Sequence, residues 1–279
     1  STSTFLYKAT QVIPFPIARQ GGRFIAYENY LFEVRRNQHY YENQQKLDIN
    51  SESSKQQLTE FKRLALENVI NETYIKRIAK EKNITVSDSE VDDQITLMSN
   101  QAKLGNSNEV LEDVLREYWG WSKTDLKRRL KSQLLEQKVL LELDKDTKGR
   151  ADAALAEIKS GVDFADAAKR YSDDVATKDN GGEYAFVIEK SNRGISPQTI
   201  DAIFKLQPGQ TSELVNTGTG LEIYKLLEMQ EGGKAKVAHI VFNFKDINDF
   251  LNDSKEKIPT RTYIALPEPV ANDAPAPNN

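Results

Sequence analysis

The stretch Thr217–Phe244 reads TGTGLEIYKLLEMQEGGKAKVAHIVFNF, and it sets the architecture of the C-terminal half. Two runs rich in β-branched, leucine and aromatic residues, LEIYKLL and KVAHIVFNF, flank EGGKAK, with Gly232 and Gly233 at its centre. Two strand-like runs joined by a short glycine turn predict a β-hairpin. The turn TGTG opens the first strand, and the returning strand carries His239, one of two histidines in the chain.

Short elements alternate upstream of the hairpin. SPQTIDAIFKL predicts a short helix, with Ser196 as cap and Pro197 at the first helical position. PGQTSELV reads as a turn followed by extended chain, NGGEYAFV as a turn into a short strand, and VDFADAAKRYSDD as a short helix. A further helical pattern, Ala151, Ala154, Leu155 and Ile158, ends at Gly161. It follows the preceding helix so closely that residues 122–160 read as nearly continuous helix, with Gly149 as the expected break.

From Glu28 to about Leu143 the texture is helical. Phe61, Leu64, Leu66, Val69, Ile70, Tyr74, Ile75 and Ile78 recur at three- and four-residue spacing. Ser87 with Glu90 three positions on forms a capping box, opening a helix through Val91, Ile95 and Met98. SNEVLEDVLREYWGW is a short helix, and Ser122 caps a long one through Leu126, Leu130, Leu134, Val139 and Leu141. At the N-terminus Pro14 and Pro16 forbid a helix, and Val12, Ile13, Phe15, Ile17, Phe24 and Ile25 flank a turn at Gly21-Gly22. Beyond Lys245 the signal fades into a proline-rich tail.

The 279 residues suffice for about two domains. A net charge of −4 gives no support to a nucleic-acid binder. The absence of cysteine excludes thiol chemistry and zinc–cysteine sites. No run approaches the roughly 20 apolar residues of a membrane span. The chain starts at STST without methionine, which is read as a trimmed export signal or anchor.

The pieces SGVDFADAAKRYSDD, NGGEYAFV and SPQTIDAIFKLQPGQTSELVNTGTGLEIYKLLE resemble, in order and spacing, the parvulin family of peptidyl-prolyl isomerases. The resemblance covers roughly residues 151–245. Upstream, LENVINETYIKRIAKEKNITVSDSEVDDQI and LKRRLKSQLLEQKVL resemble the helical chaperone domain of SurA- and PrsA-like exported foldases. Parvulins open with a histidine strand of the type A-x-H-I-L, missing here ahead of DKDTKGRADAALAEI; its match is Ala238-His239-Ile240-Val241. The expected fold is therefore α+β. Residues 1–27 form an extended segment and 28–146 a mostly helical chaperone domain. Residues 147–250 form a parvulin-like domain with a four-stranded antiparallel sheet, its first strand circularly permuted to the end. Residues 251–279 form a largely disordered tail. A truncated second module beginning at KVAHIVFNF is the alternative.

The resemblance implies a polar network of His239, Asp174, Thr217 and position 222, where family members carry a second histidine and this chain has Glu222. It implies a proline pocket lined by Tyr184, Ile195, Thr199 and Phe204. Thr199 replaces a large apolar residue, a loss of contact worth about 1–3 kcal/mol. The implied function is an extracytoplasmic foldase that binds unfolded or proline-containing clients and isomerises X-Pro bonds, with weakened activity. No cofactor, metal or nucleic acid is implied, and a membrane enters only through an anchor outside this chain. The alternative is a catalytically degenerate peptide-binding chaperone or assembly factor.

Overall fold

The computed structural model of the chain describes residues 15–43, 51–104 and 107–264. Val12, Ile13, Pro14 and the tail from residue 265 onward lie outside the described residues. The chain divides into two compact units. One comprises residues up to Ile78, Glu112–Leu126 and Phe250 onward; the other comprises Ala79–Leu111 and Lys127–Asp249. Neither follows the linear boundary expected at residue 146, because each recruits helical segments from separate parts of the chain.

In the first unit β1 (Pro16–Gln20) and β2 (Arg23–Ala26) form an antiparallel hairpin. Gly21 turns it at a φ of +55°, a conformation that disfavours side chains. Ile17, Ala18 and Ile25 bury against Tyr30, Leu31 and Val34 of α1 (Tyr27–Asn43) and Ala65, Leu66 and Val69 of α2 (Glu52–Glu81). Burial, then the neighbouring Tyr27, pushes the Tyr30 phenol up to about 12. Trp121 stacks on Phe32 with centroids 5.5 Å apart, while Trp119 stays 37% exposed.

The segment after Lys245 is not featureless. Helix α9 (Ile247–Lys257) is followed by β6 (Thr260–Thr262), which pairs with β1 to complete a β2-β1-β6 sheet. Fully buried Leu251 anchors the helix, and the Tyr74 hydroxyl donates to the Ile258 carbonyl at 2.6 Å. Residues 251–264, expected as the start of a disordered tail, are held by these distant contacts.

In the second unit the capping box forms as read. Ser87 Oγ accepts from Glu90 N at 3.2 Å, and Glu90 returns a bond to Ser87 N, opening α3 (Asp88–Gln101). The Lys138 ammonium, then the Ser87 amide, holds the Glu90 carboxyl down at about 2. Helix α4 (Asn108–Trp119), which belongs to the first unit from Glu112 on, precedes α5 (Lys123–Leu143), which ends at Asp144 rather than at Gly149. Asp144 is buried and accepts from Thr147 N, starting α6 (Lys145–Lys159), with Gly149 inside that helix. An aspartate able to satisfy the first amides of a new helix outcompetes a glycine as a breakpoint. Helix α7 (Phe164–Tyr171), capped by Asp163, and α8 (Pro197–Phe204), capped by Ser196, follow.

The sheet of this unit runs β3 (Val215–Asn216), β4 (Gly220–Gln230), β5 (Lys234–Asn243), all antiparallel. Gly232 and Gly233 turn the β4–β5 hairpin with φ of +76° and +72°. The expected fourth strand is reduced to isolated bridges, Glu183 to Ala238 and Ile188 to Ala235. Tyr184 N donates to Val237 O and Ile188 N to Ala235 O, and the chain between them leaves the ladder. On one sheet face Ala238, Ile240 and Phe242 bury against Ala151, Ala154, Phe164, Ala167 and Ala168 of α6 and α7. The other face packs Val237, Tyr224 and Leu226 against Ile188, Ile200 and Ile203.

Candidate functional site

His239 points from β5 to the same sheet face as Tyr224 and Glu222 of β4. Tyr224 is its direct partner across the strands and Glu222 its diagonal one. The imidazole is bonded through both nitrogens: Nδ1 lies 3.0 Å from Glu222 Oε2 and Nε2 lies 2.9 Å from Asp174 Oδ2. Only the imidazolium form donates to two carboxylates at once. All three side chains are largely buried, His239 at 7% exposure.

Asp174 is placed by the loop after α7. Ser172 Oγ accepts from Val241 N and from Asp174 N, and Asp173 N donates to Val241 O. The SDD run therefore clips onto β5 two residues past His239. Burial pushes the Asp174 carboxyl up. The Thr177 hydroxyl, the Ala176 amide and His239 more than offset this, so it sits below its ordinary range. Thr177 Oγ1 donates to Asp174 Oδ2 at 2.5 Å and lies 3.1 Å from His239 Nε2. Gly182 backs the histidine: at φ +79°, a Cβ there would stand 2.2 Å from His239 O, so a side chain would displace β5.

Tyr184 lies against the imidazole with ring centroids 4.2 Å apart, and Phe186, 52% exposed, continues the aromatic row at 5.1 Å. Burial, then the charges of Glu222 and Asp174, pushes the Tyr184 phenol up. Beside this group a cavity of about 280 Å³ is lined by Tyr184, Gly194, Ile195, Ser196, Thr199, Thr217, Thr219, Glu222 and Tyr224. Thr199 is buried, with its hydroxyl 2.9 Å from the Tyr224 hydroxyl and 2.8 Å from Ser196 Oγ. A hydroxyl pair thus stands where the resemblance implies an apolar wall. Burial, then Glu222, pushes the Tyr224 phenol up.

Of the residues read from the sequence, the structure brings His239, Asp174 and Glu222 into one hydrogen-bonded group and sets Tyr184, Ile195 and Thr199 around the cavity. Thr217 lines the cavity too, but its hydroxyl turns back to Gly220 O at 3.2 Å and does not bond His239. Phe204 does not reach the cavity. It packs beside Ile188 and Ile203, with the Lys190 ammonium over its ring, because the last turn of α8 faces the sheet core.

Sequence reasoning missed Thr177, Tyr224 and Gln101. Tyr224 was legible in principle, since period-two alternation places it on the face of Glu222. Gln101, the last residue of α3, donates from Nε2 to Asn192 O at 2.5 Å and Ile195 O at 2.7 Å, holding the loop that forms one cavity wall. Two turns back along α3, Gln94 Oε1 accepts from Gln198 Nε2 at 2.6 Å. Among the described residues no three His, Cys, Asp or Glu side chains converge to hold a metal, and no helix is long and apolar enough to cross a membrane.

Comparison with known proteins matches both halves of the chain to family models. Residues 135–228 match the family described as the PPIC-type PPIASE (rotamase) domain, and residues 3–140 match the SurA-like N-terminal domain. The foldase protein PrsA of Caldanaerobacter subterraneus is 32% identical over 231 residues, covering 72% of this chain and 66% of that protein. The chaperone SurA of Methylobacillus flagellatus is 27% identical over 201 residues, covering 69% of this chain and 41% of that protein. A crystal structure of the peptidylprolyl isomerase PrsA from Bacillus anthracis covers 69% of this chain and 85% of its own, at 21% identity and a TM-score of 0.21. The chain thus spans less than two thirds of the length of these curated relatives. It joins a SurA-like N-terminal domain to a parvulin-type, PPIC-class isomerase domain.

Proposed function

We propose that the cleft beside His239 binds an X-Pro segment of a polypeptide client and speeds its cis–trans isomerisation, in a foldase that holds unfolded clients outside the cytoplasm. The observation that carries this reading is the placement of a doubly bonded histidine next to a cavity sized for a proline and its neighbours. The names of its relatives, foldase and chaperone, support the same class of client.

Rotation about X-Pro must cross a barrier of about 20 kcal/mol, set by the double-bond character of the C–N bond. No covalent step is needed. A site lowers the barrier by binding the twisted amide better than either planar form. In this reading Tyr184, Ile195 and Thr199 seat the proline ring. His239, bonded through both nitrogens to Asp174 and Glu222, holds the Glu222 carboxylate in a fixed place at the cavity wall beside the twisting amide. Thr217 shapes the glycine turn at the cavity wall. The Thr199–Tyr224 hydroxyl pair and Glu222 favour a second reading, in which peptide binding persists and catalysis is slight.

The sheet supports a circular permutation in the same reading. β5 lies between β4 and the bridging segment 183–188, beside the neighbour that a parvulin's first strand has. The family match ends at residue 228, before this strand begins.

A protease-coupled assay on X-Pro tetrapeptides tests the isomerase reading, with rates above background expected at tens of micromolar protein. Rates at background, with aggregation of a denatured protein still suppressed, would replace it by the binding reading.

A further inference from the structure

The cleft differs from an apolar proline slot in its charge. Glu222 lines it, and of the nine lining residues none is a lysine or arginine. Among the described residues Glu222 and Asp174 have no ion-pair partner other than His239. Even with the imidazolium counted, two carboxylates and one cation leave the group with a net negative charge. The rest of the wall offers hydroxyl groups from Ser196, Thr199, Thr217 and Thr219, which satisfy a polar head group but neutralise nothing. The neighbouring phenols register the same field: the charge of Glu222 adds to burial in keeping both Tyr184 and Tyr224 protonated.

The charged groups around the rim do not cancel it. Glu183 is paired with Lys236 and Glu189 with Lys234. Lys190 lies over Phe204, and Lys225 is on the opposite sheet face, over Phe164. Arg193 is exposed next to Gly194, where solvent and salt screen it. Glu222 is only 16% exposed, so its charge acts on a ligand through a less screened medium.

We propose that this cleft selects proline segments that carry a lysine or arginine next to the proline, with Glu222 as the specificity-determining residue. The inference rests on the reading of the cleft as the X-Pro site. A long cationic side chain can lay its methylenes along Tyr184 and Phe186 and bring its charged end toward Glu222 among the threonine hydroxyls. A glutamate at the same position would meet a like charge.

The test uses the full chain and three tetrapeptides that differ only in the residue before proline: lysine, leucine or glutamate. Exchange NMR gives the isomerisation rate, and chemical-shift titration gives Kd whether or not catalysis occurs. The expected order is lysine, leucine, glutamate, with lysine over glutamate on the order of tenfold in Kd at low salt. That ratio should shrink toward unity in 0.5 M salt and in Glu222→Gln. The Glu222→His variant, which also removes the carboxylate, should lose the preference as well, and guards against a folding defect peculiar to the glutamine. Equal affinities, or a preference for glutamate, would overturn the inference even if all three peptides are isomerised. If none is isomerised above background while the lysine preference persists in Kd, the charge selection stands and the isomerase reading falls.

Discussion

The two faces of the β4–β5 hairpin are made by the same strands and do opposite work. Ala238, Ile240 and Phe242 bury completely, or nearly so, against small residues of α6 and α7, where four alanines at or near 0% exposure let helices approach the sheet closely. One residue out of phase, His239 faces Glu222, Tyr184 and an open cavity. A period of two separates an apolar face from one that carries the proposed site beside an apolar cluster of its own. The first is apolar and close-packed. The second ties a buried imidazole to two carboxylates.

Substitutions should therefore separate the two faces. The largest stability effect is expected at Phe242→Ala, a loss of about 3–5 kcal/mol seen as a lower chemical-denaturation midpoint. His239→Gln should do the reverse, keeping most of the stability while cutting isomerisation by about a hundredfold. A variant that merely unfolds would show up in the same denaturation curve.

Acid should reach the second face first. A carboxylate whose pKa is depressed on folding stabilises the fold above its unfolded value, and that contribution is lost as pH falls through the folded value. For Asp174 the window lies below the ordinary aspartate value of 3.8. Wild type should lose more stability than Asp174→Asn as pH drops below about 4, measured by urea midpoints at stepped pH. Parallel curves would show that Asp174 contributes nothing there.

Smaller effects test the supports. Gln101→Ala frees two carbonyls of the cavity loop and should raise KM about three- to tenfold with kcat nearly unchanged. Ser87→Ala, at the cap of the same helix, should cost about 1 kcal/mol of stability without a specific effect on KM.

The legible parts of the molecule are those whose signals are local. The hairpin around Gly232-Gly233, the Ser87–Glu90 box and the Ser196-Pro197 helix start all rest on neighbouring residues, and all three form. The parts that escaped depend on partners far along the chain. Strand β6 is three residues with no apolar period, and it exists because β1 offers it an edge. The helix break fell to Asp144, whose second oxygen accepts from Lys245 N about a hundred residues away. In the site, His239, Asp174 and Glu222 were reached through resemblance to a family. Thr177 was not, because a threonine in VATKD carries no mark of its bond to His239. The resemblance puts Phe204 in the pocket, and the pitch of α8 turns it to the core instead.

The central claim is that β5 carries the histidine of a working X-Pro site. Cis–trans exchange NMR of a proline tetrapeptide, with wild type and His239→Gln side by side at tens of micromolar protein, tests it most directly. Exchange well above the uncatalysed rate for wild type and near that rate for the variant is the predicted result. Wild-type exchange at the uncatalysed rate, or equal acceleration by both proteins, would contradict it.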